Sequence, residues 1–183
     1  MKKLEGTKVV FLVADMTHDE ELNFPKYYLE WEGAKTLLAG TKKELTSRFG
    51  RPIKADILTS ELENLVEETD GVIIPGGFGP DKLRIDNDAL NFVRKCHNKG
   101  KVIAAICHGA QVLISAEIVK GKKITCVKNV AIDVKNAGGI YVDEPIVKDG
   151  NLITSRNPSD LPPFTEAIIE ELQKLKIKVK AKA

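Results

Sequence analysis

Residues 101–115, KVIAAICHGAQVLIS, change from one pattern to another at a single cysteine. The apolar run 102–106 has the length and composition of a buried strand, and 109–115 reads as the start of an apolar helix. Cys107 sits between them. A tight strand-to-helix turn holds its backbone away from the core and its sulfur near unpaired helix N–H groups, which favours thiolate over thiol. Ala105-Ile106-Cys107-His108-Gly109 has the small-x-nucleophile-x-Gly layout of a nucleophile elbow, with cysteine in place of serine. The competing reading of the pentapeptide is a buried structural cysteine, the commoner state of a free thiol.

The rest of the chain alternates apolar strands with helices. Residues 8–14, KVVFLVA, are continuously apolar, as expected of a central parallel strand covered on both faces. A helix is expected over 19–32, with Asp19 as N-cap and Pro25 either in its first turn or kinking it. Strands are expected at 35–39, 71–75, 123–127 and 141–148, with a small hairpin in 44–55. Helices are expected at 61–69, 87–99, 131–137 and 161–175. Asp149-Gly150 is a hairpin turn joining 146–148 to 151–154, and the final residues read as a loose tail. This order implies one α/β domain over 1–183 built around a mostly parallel sheet. Such folds place their sites at the C-terminal ends of strands, so the loops after Ala14, Pro75 and Ile106 converge as candidates.

Composition excludes several classes of function. The 28 basic and 26 acidic residues are interspersed and give a net charge of +2, which offers no electrostatic case for nucleic acid or a membrane surface. No apolar run approaches the ~20 residues of a membrane span. Cys96, Cys107 and Cys126 are odd in number and at no metal or disulfide spacing. With no signal-like segment at the start, the expectation is a cytoplasmic, reducing location. G-x-S-x-G, C-x-x-C, the P-loop and a complete G-x-G-x-x-G are all absent from the sequence.

A cysteine nucleophile needs a proton acceptor, a group that fixes geometry, and donors for a developing oxyanion. The backbone N–H groups of Gly76, Gly77 and His108 are candidates for the oxyanion hole; Gly76-Gly77 also reads as an ordinary turn. His108 directly follows the cysteine and serves as a base only if its ring swings back toward the sulfur. His18, after the first strand, is placed at the pocket rim or on the surface, and His97 on the surface. Glu20 and Glu21 open the first helix. One of the two can face the sulfur, although acidic residues at a helix start also complement its dipole.

At these residues the sequence resembles the PfpI family of intracellular cysteine peptidases and their relatives. That family lies in the superfamily that also holds the Parkinson-associated deglycase and class I glutamine amidotransferases. The segments that carry the resemblance are DEELNFP at 19–25, IIPGGFGPDKLR at 73–84, AICHGAQVLISA at 105–116 and VDEPIVKDGNLITSRNPSDL at 142–161. The resemblance implies a flavodoxin-like three-layer sandwich with Cys107 as nucleophile and Glu21 hydrogen-bonding its sulfur. His108 matches the histidine of the PfpI-type site. The third member in that group comes from a neighbouring subunit, and Asp81 stands at the matching position, where the family often has glutamate. Dimers or hexameric rings, with Asp81 shared across an interface, follow as expectations, and no cofactor or metal is implied. Histidine is absent after His108, which argues against the amidotransferase branch with its in-chain triad.

Two enzymatic reactions fit this set. One is peptide hydrolysis through a Cys107 acyl-enzyme, which the His108 and Asp81 pattern favours at the level of sequence. The other is glyoxalase or deglycase chemistry on methylglyoxal and its adducts through a Cys107 hemithioacetal. A non-enzymatic redox sensor or chaperone, with Cys107 oxidised to a sulfinic acid beside Glu21, is the alternative from another class.

Overall fold

Apolar runs buried on both faces form the middle of the sheet. In the computed structural model, which describes residues 2–180, β1 (Lys8–Val13) lies between β2 (Lys35–Gly40) and β6 (Gly71–Ile74), and β7 (Val102–Ile106) pairs with β6, all in parallel. Alternate side chains of β1 enter opposite cores. Val9, Phe11 and Val13 face α1 (Asp19–Trp31) and α6 (Leu161–Lys180), meeting Leu22, Leu29, Phe164, Ile168 and Leu172. Val10 and Leu12 face the layer that contains α3 (Asn87–Asn98), α4 (Ala110–Ser115) and α5 (Ala131–Asn136). The result is a three-layer, flavodoxin-like α/β sandwich.

Two hairpins and several short pieces complete it. β3 (Glu44–Thr46) and β4 (Pro52–Lys54) make an antiparallel pair apart from the main sheet, and β5 (Ile57–Leu58) extends the sheet beyond β2. β8 (Lys123–Ile124) pairs in parallel with β9 (Ile140–Tyr141), while β10 (Ile146–Asp149) and β11 (Leu152–Ser155) turn at Gly150. β11 adds in parallel to β7, so the sheet order is β10-β11-β7-β6-β1-β2-β5. A short α2 (Gly79–Leu83) follows the glycine loop.

Several elements differ from the sequence-based expectation. The strand expected over 123–127 ends at Ile124, and the Thr125 N–H turns to the Thr154 hydroxyl instead of a ladder. The strand expected over 141–148 is broken around Pro145, which has no N–H to donate. The helix expected at 61–69 is a 3-10 helix over Thr59–Leu65. The apolar and lysine residues at the C-terminus continue α6 to Lys180 and do not form a loose tail from 176; residues 181–183 lie outside the described residues. Pro25 falls inside α1 without ending it. No helix among the described residues is long and apolar enough to cross a membrane.

Topology fixes where a ligand can enter. From β1 the chain steps to β2 and on to β5, then returns to place β6 and β7 on the other side of β1. That reversal opens a crevice at the C-terminal ends of β1 and β6, next to the end of β7. An isolated bridge between Thr17 and Gly77 ties the first two loops together at this point. Phe11 is fully buried at the centre of the framework. Phe11→Ala is expected to lower unfolding free energy by about 3–5 kcal/mol in a denaturant titration, the usual cost of emptying such a site.

Candidate active site

Cys107 adopts φ 60°, a left-handed conformation that disfavours any residue with a Cβ. The strain follows from its position. β7 ends at Ile106, a 3-10 turn begins at Cys107, and α4 starts at Ala110, so one residue must reverse the backbone. The sulfur is thereby lifted to the sheet's end, yet Cys107 is only 7% exposed.

Glu21 reaches the same point from α1. Its side chain is 0% exposed, and its Oε2 accepts the Gly76 N–H at 2.7 Å. The other oxygen, Oε1, is buried without a protein partner among the described residues. Gly76 is required by space: a Cβ there would lie 2.5 Å from Glu21 Oε2, 2.7 Å from Cys107 Cβ and 3.0 Å from the His108 nitrogen. Next to it, Gly77 has φ 76°, and a side chain would strike the Met16 carbonyl at 2.4 Å. These contacts bring the loops after β1, β6 and β7 together around one carboxyl and one sulfur.

Burial pushes the Glu21 carboxyl up to about 7, against the Gly76 N–H and the Cys107 side chain, which favour its charged form. Burial and the Glu21 charge push the Cys107 thiol up to about 12, against the N–H groups of His108 and Gly77 directed at the sulfur. The expectation that the turn alone favours thiolate is therefore corrected: desolvation outweighs the helix N–H groups. The carboxyl therefore ionises first, and its charge then opposes ionisation of the thiol. When Glu21 carries the proton, its charge no longer opposes the thiolate and its O–H can donate to sulfur.

The N–H groups expected to form an oxyanion hole divide. Those of Gly77 and His108 face the sulfur, whereas that of Gly76 is donated to Glu21. His108 is half-buried, with its ring 5.6 Å from that of Phe78. Burial and the Arg48 charge lower its proton affinity, and Asp81 raises it. Asp81 itself is exposed on α2 and makes no hydrogen bond to His108 among the described residues. His18 is buried, not surface-exposed; its N–H donates to the Gly76 carbonyl at 3.0 Å and its ring meets Phe49 edge-on at 5.3 Å. His97 is half-buried near the end of α3, where its carbonyl accepts from Asn151.

Asp19 is not the N-cap of α1. His18 holds that position without a side-chain cap bond, and Asp19 instead accepts from Ser47 Oγ at 2.7 Å and Phe49 N at 3.2 Å. Those bonds fix the tip of the β3–β4 hairpin over the site. The hairpin brings Arg48, which sequence reasoning missed. Its guanidinium stands 5.7 Å from the Phe49 ring and 5.4 Å from the Phe78 ring, and its charge is felt at Glu21, His18 and His108. Nothing in the sequence between two short strands marks that residue for the pocket. Two concavities, of about 460 and 570 Å³, lie along the outer side of α1, lined by Asp19, Asn23, Tyr27 and Arg51 among others, and neither includes Cys107.

The sequence profile of the DJ-1/PfpI family matches residues 7–171. The chain belongs to the DJ-1/PfpI family. It is 37% identical over 155 residues to the deglycase PfpI of Pyrococcus furiosus, covering 84% of this chain and 92% of that protein. An uncharacterised protein of Archaeoglobus fulgidus is 38% identical over 168 residues, 91% of this chain and 99% of its own length. Among solved structures, a two-domain protein of Anabaena variabilis with DJ-1/ThiJ/PfpI-like and ferritin-like domains superimposes with a TM-score of 0.87 at 39% identity. That match covers 91% of this chain and 48% of the two-domain chain.

Glu21 links the site to folding stability. An unfolded glutamate titrates near 4.5 and the folded Glu21 near 7, so between these values the folded chain binds more protons. Its contribution to stability is full below about 4.5 and is lost as pH rises through 7. Glu21→Gln keeps an acceptor for Gly76 but cannot titrate. The stability of the native protein relative to this variant is expected to fall by on the order of 3 kcal/mol from pH 4.5 to pH 8, read from denaturant unfolding at several pH values.

Proposed function

We propose that this protein is a Cys107-dependent glyoxalase or deglycase, acting on methylglyoxal and on its early adducts. The observation that carries the reading is the buried Glu21 carboxyl, raised to about 7 beside the Cys107 sulfur, because carbonyl chemistry of this kind moves protons at each step. Relatives with a named activity add support, since those of Pyrococcus and Thermococcus are named deglycases at 36–37% identity. Peptide hydrolysis, the first reaction inferred from the sequence, receives no such support from those names.

In this mechanism the Cys107 thiolate adds to the aldehyde carbon, and the carbonyl oxygen takes the Glu21 proton to form a hemithioacetal. His108, whose lowered proton affinity leaves it neutral at pH 7, or the newly ionised Glu21, removes the proton on that carbon. That base passes the proton to the adjacent ketone oxygen as the enediol forms. The hydroxyl on the first carbon then gives its proton to the base, which delivers it to the second carbon and leaves a lactoyl thioester on Cys107. The N–H groups of Gly77 and His108 are the donors placed to stabilise the oxyanion when water attacks that thioester. Hydrolysis releases lactate and regenerates the thiol. For an adduct, the amine or thiol carried by methylglyoxal departs before the same sequence.

Peptide cleavage requires His108 to be oriented by a carboxylate, and Asp81 of the same chain does not bond to it. A second reading, which rests on the resemblance, has Asp81 serve the His108 of a neighbouring subunit in a dimer or hexamer. Assembly state by analytical ultracentrifugation, with peptide cleavage by Asp81→Ala in the same samples, tests that reading. An assembled protein that cleaves peptide only with Asp81 intact would support it.

The direct test compares native protein with Cys107→Ala on methylglyoxal and on an unstructured peptide. The expected result is methylglyoxal loss, with lactate formed, falling to background in the variant, and no Cys107-dependent peptide cleavage. Cleavage without aldehyde loss would return the assignment to peptidase, and inactivity on both with peroxide oxidation confined to Cys107 would favour the sensor. Alkylation of Cys107 is also expected to go on rising with pH above 7, since burial and the Glu21 charge hold the thiol up to about 12. In Glu21→Gln the rise should come at lower pH, because that charge no longer opposes the thiolate.

A further inference from the structure

We infer that Arg48 forms an anion-recognition site at the border of the Cys107 crevice and selects adducts whose departing amine or thiol carries a carboxylate close to the reacting carbon. The inference rests on the reading of Cys107 as the nucleophile and concerns what that nucleophile receives.

Three observations on position carry it. First, the hairpin tip is held in place over the crevice. Arg48 N donates to the Thr17 carbonyl at 2.9 Å, and its neighbours Ser47 and Phe49 both bond to the buried Asp19 carboxylate. An ordinary surface arginine has no such anchorage on both sides. Second, the guanidinium is bracketed by the rings of Phe49 and Phe78, and those rings in turn meet His18 and His108. The wall of the site is thus a continuous row from His18 through Phe49, Arg48 and Phe78 to His108, the residue next to the nucleophile. Cation–π contact with both rings restrains the guanidinium beside the crevice, and its forked N–H groups suit a planar, two-oxygen ligand.

Third, the guanidinium has no carboxylate partner. Among the described residues Arg48 forms no ion pair, although acidic groups surround the hairpin. Asp15 is paired with Lys42 at 2.8 Å and accepts from Thr46 N, while Asp19 is engaged by Ser47, Phe49 and, at 4.0 Å, Arg51. Glu20 and Asp81, exposed at the border of the site, make no ion pair with it either. Phe49 and Phe78 are 60% and 49% exposed, so the row is open to a ligand from solvent. A carboxylate on the substrate would supply the missing charge where a guanidinium fork binds it best.

The consequence for substrate class is specific. Methylglyoxal is neutral, whereas its adduct with a free amino acid keeps a carboxylate a few bonds from the reacting carbon. Glycated free amino acids are therefore the substrates that Arg48 favours, ahead of glycated residues inside a chain.

Alkylation of Cys107 tests recognition without requiring turnover. In both iodoacetate and iodoacetamide the sulfur displaces iodide from a CH₂ group, and the reagents differ in carrying a carboxylate or a neutral amide. Rates at Cys107 are read by peptide mass mapping in native protein, Arg48→Gln and Arg48→Lys. The ratio of iodoacetate to iodoacetamide rate is expected to fall about tenfold in Arg48→Gln, with Arg48→Lys between the two because it keeps charge but loses the fork. An unchanged ratio overturns the inference. Equal slowing with both reagents also overturns it, since Arg48 would then act on the thiol and not on the ligand. The substrate arm uses methylglyoxal adducts of N-acetylcysteine and of N-acetylcysteine amide. Native protein should turn over the carboxylate form faster and Arg48→Gln should lose the preference; equal turnover by native protein overturns the substrate assignment. Absence of turnover on both adducts bears on the proposed reaction alone, because the alkylation ratio is still measurable.

Discussion

A carboxyl group with no solvent exposure, touching a cysteine held in a left-handed conformation, is the constraint around which this molecule is arranged. Neither feature is favourable alone. Burying Glu21 raises its proton affinity, and the Cys107 backbone costs of order 1–3 kcal/mol. Both persist because surrounding structure leaves them nowhere else to go. β7 and α4 hold Cys107 from either side, α1 carries Glu21 inward beside Leu22, and Gly76 leaves a gap only as large as a hydrogen. The free energy of two packed cores offsets the strain at their shared edge.

Proton transfer follows from that arrangement. Desolvation penalises the charged form of both groups, lifting the carboxyl to about 7 and the thiol to about 12, so the acid still titrates first. Near neutral pH Glu21 is therefore poised to change protonation beside a thiol that keeps its proton until it reacts. A nucleophile that can return its proton to an adjacent acid suits reactions in which an oxygen gains a proton as the sulfur adds. His108, made less basic by its own burial, can then take up a proton without holding it permanently.

Legibility in the sequence followed range. Continuous apolar runs revealed β1, β6 and β7, because a strand covered on both faces has no polar side to display. Small residues around Cys107 revealed the elbow, since the turn admits little else. Asp149-Gly150 revealed its hairpin for a local reason as well, the positive φ at Gly150. Short elements were harder. β5 is two residues long, and β8 ends where Thr125 exchanges a ladder partner for the Thr154 side chain, a choice made by a residue 29 positions away. Asp19 shows the same difficulty: its place at a helix start reads locally as a cap, but a tertiary bond to Ser47 takes its oxygens elsewhere. Glu21 was legible through resemblance, whereas its proton affinity was not, because burial is a property of the folded chain.

Arg48 is the extreme case, since it lies in neither a regular element nor a motif. Its position depends on a sequence of tertiary bonds. Asp19 gives up capping to hold Ser47 and Phe49, Thr17 receives the Arg48 N–H, and Thr17 is itself tied to Gly77 by the bridge between the β1 and β6 loops. The loop that shapes the sulfur's surroundings and the hairpin that covers it are thus one connected unit. Charge complementarity over the nucleophile is consequently set by the hairpin, the part of the chain furthest from the elbow in character. The reactive pair can stay fixed in the sheet's crevice while changes at the hairpin tip alter which electrophiles reach it. That division follows from the fold: strained chemistry needs the rigid strand ends, and recognition needs a surface whose side chains can change without disturbing either core.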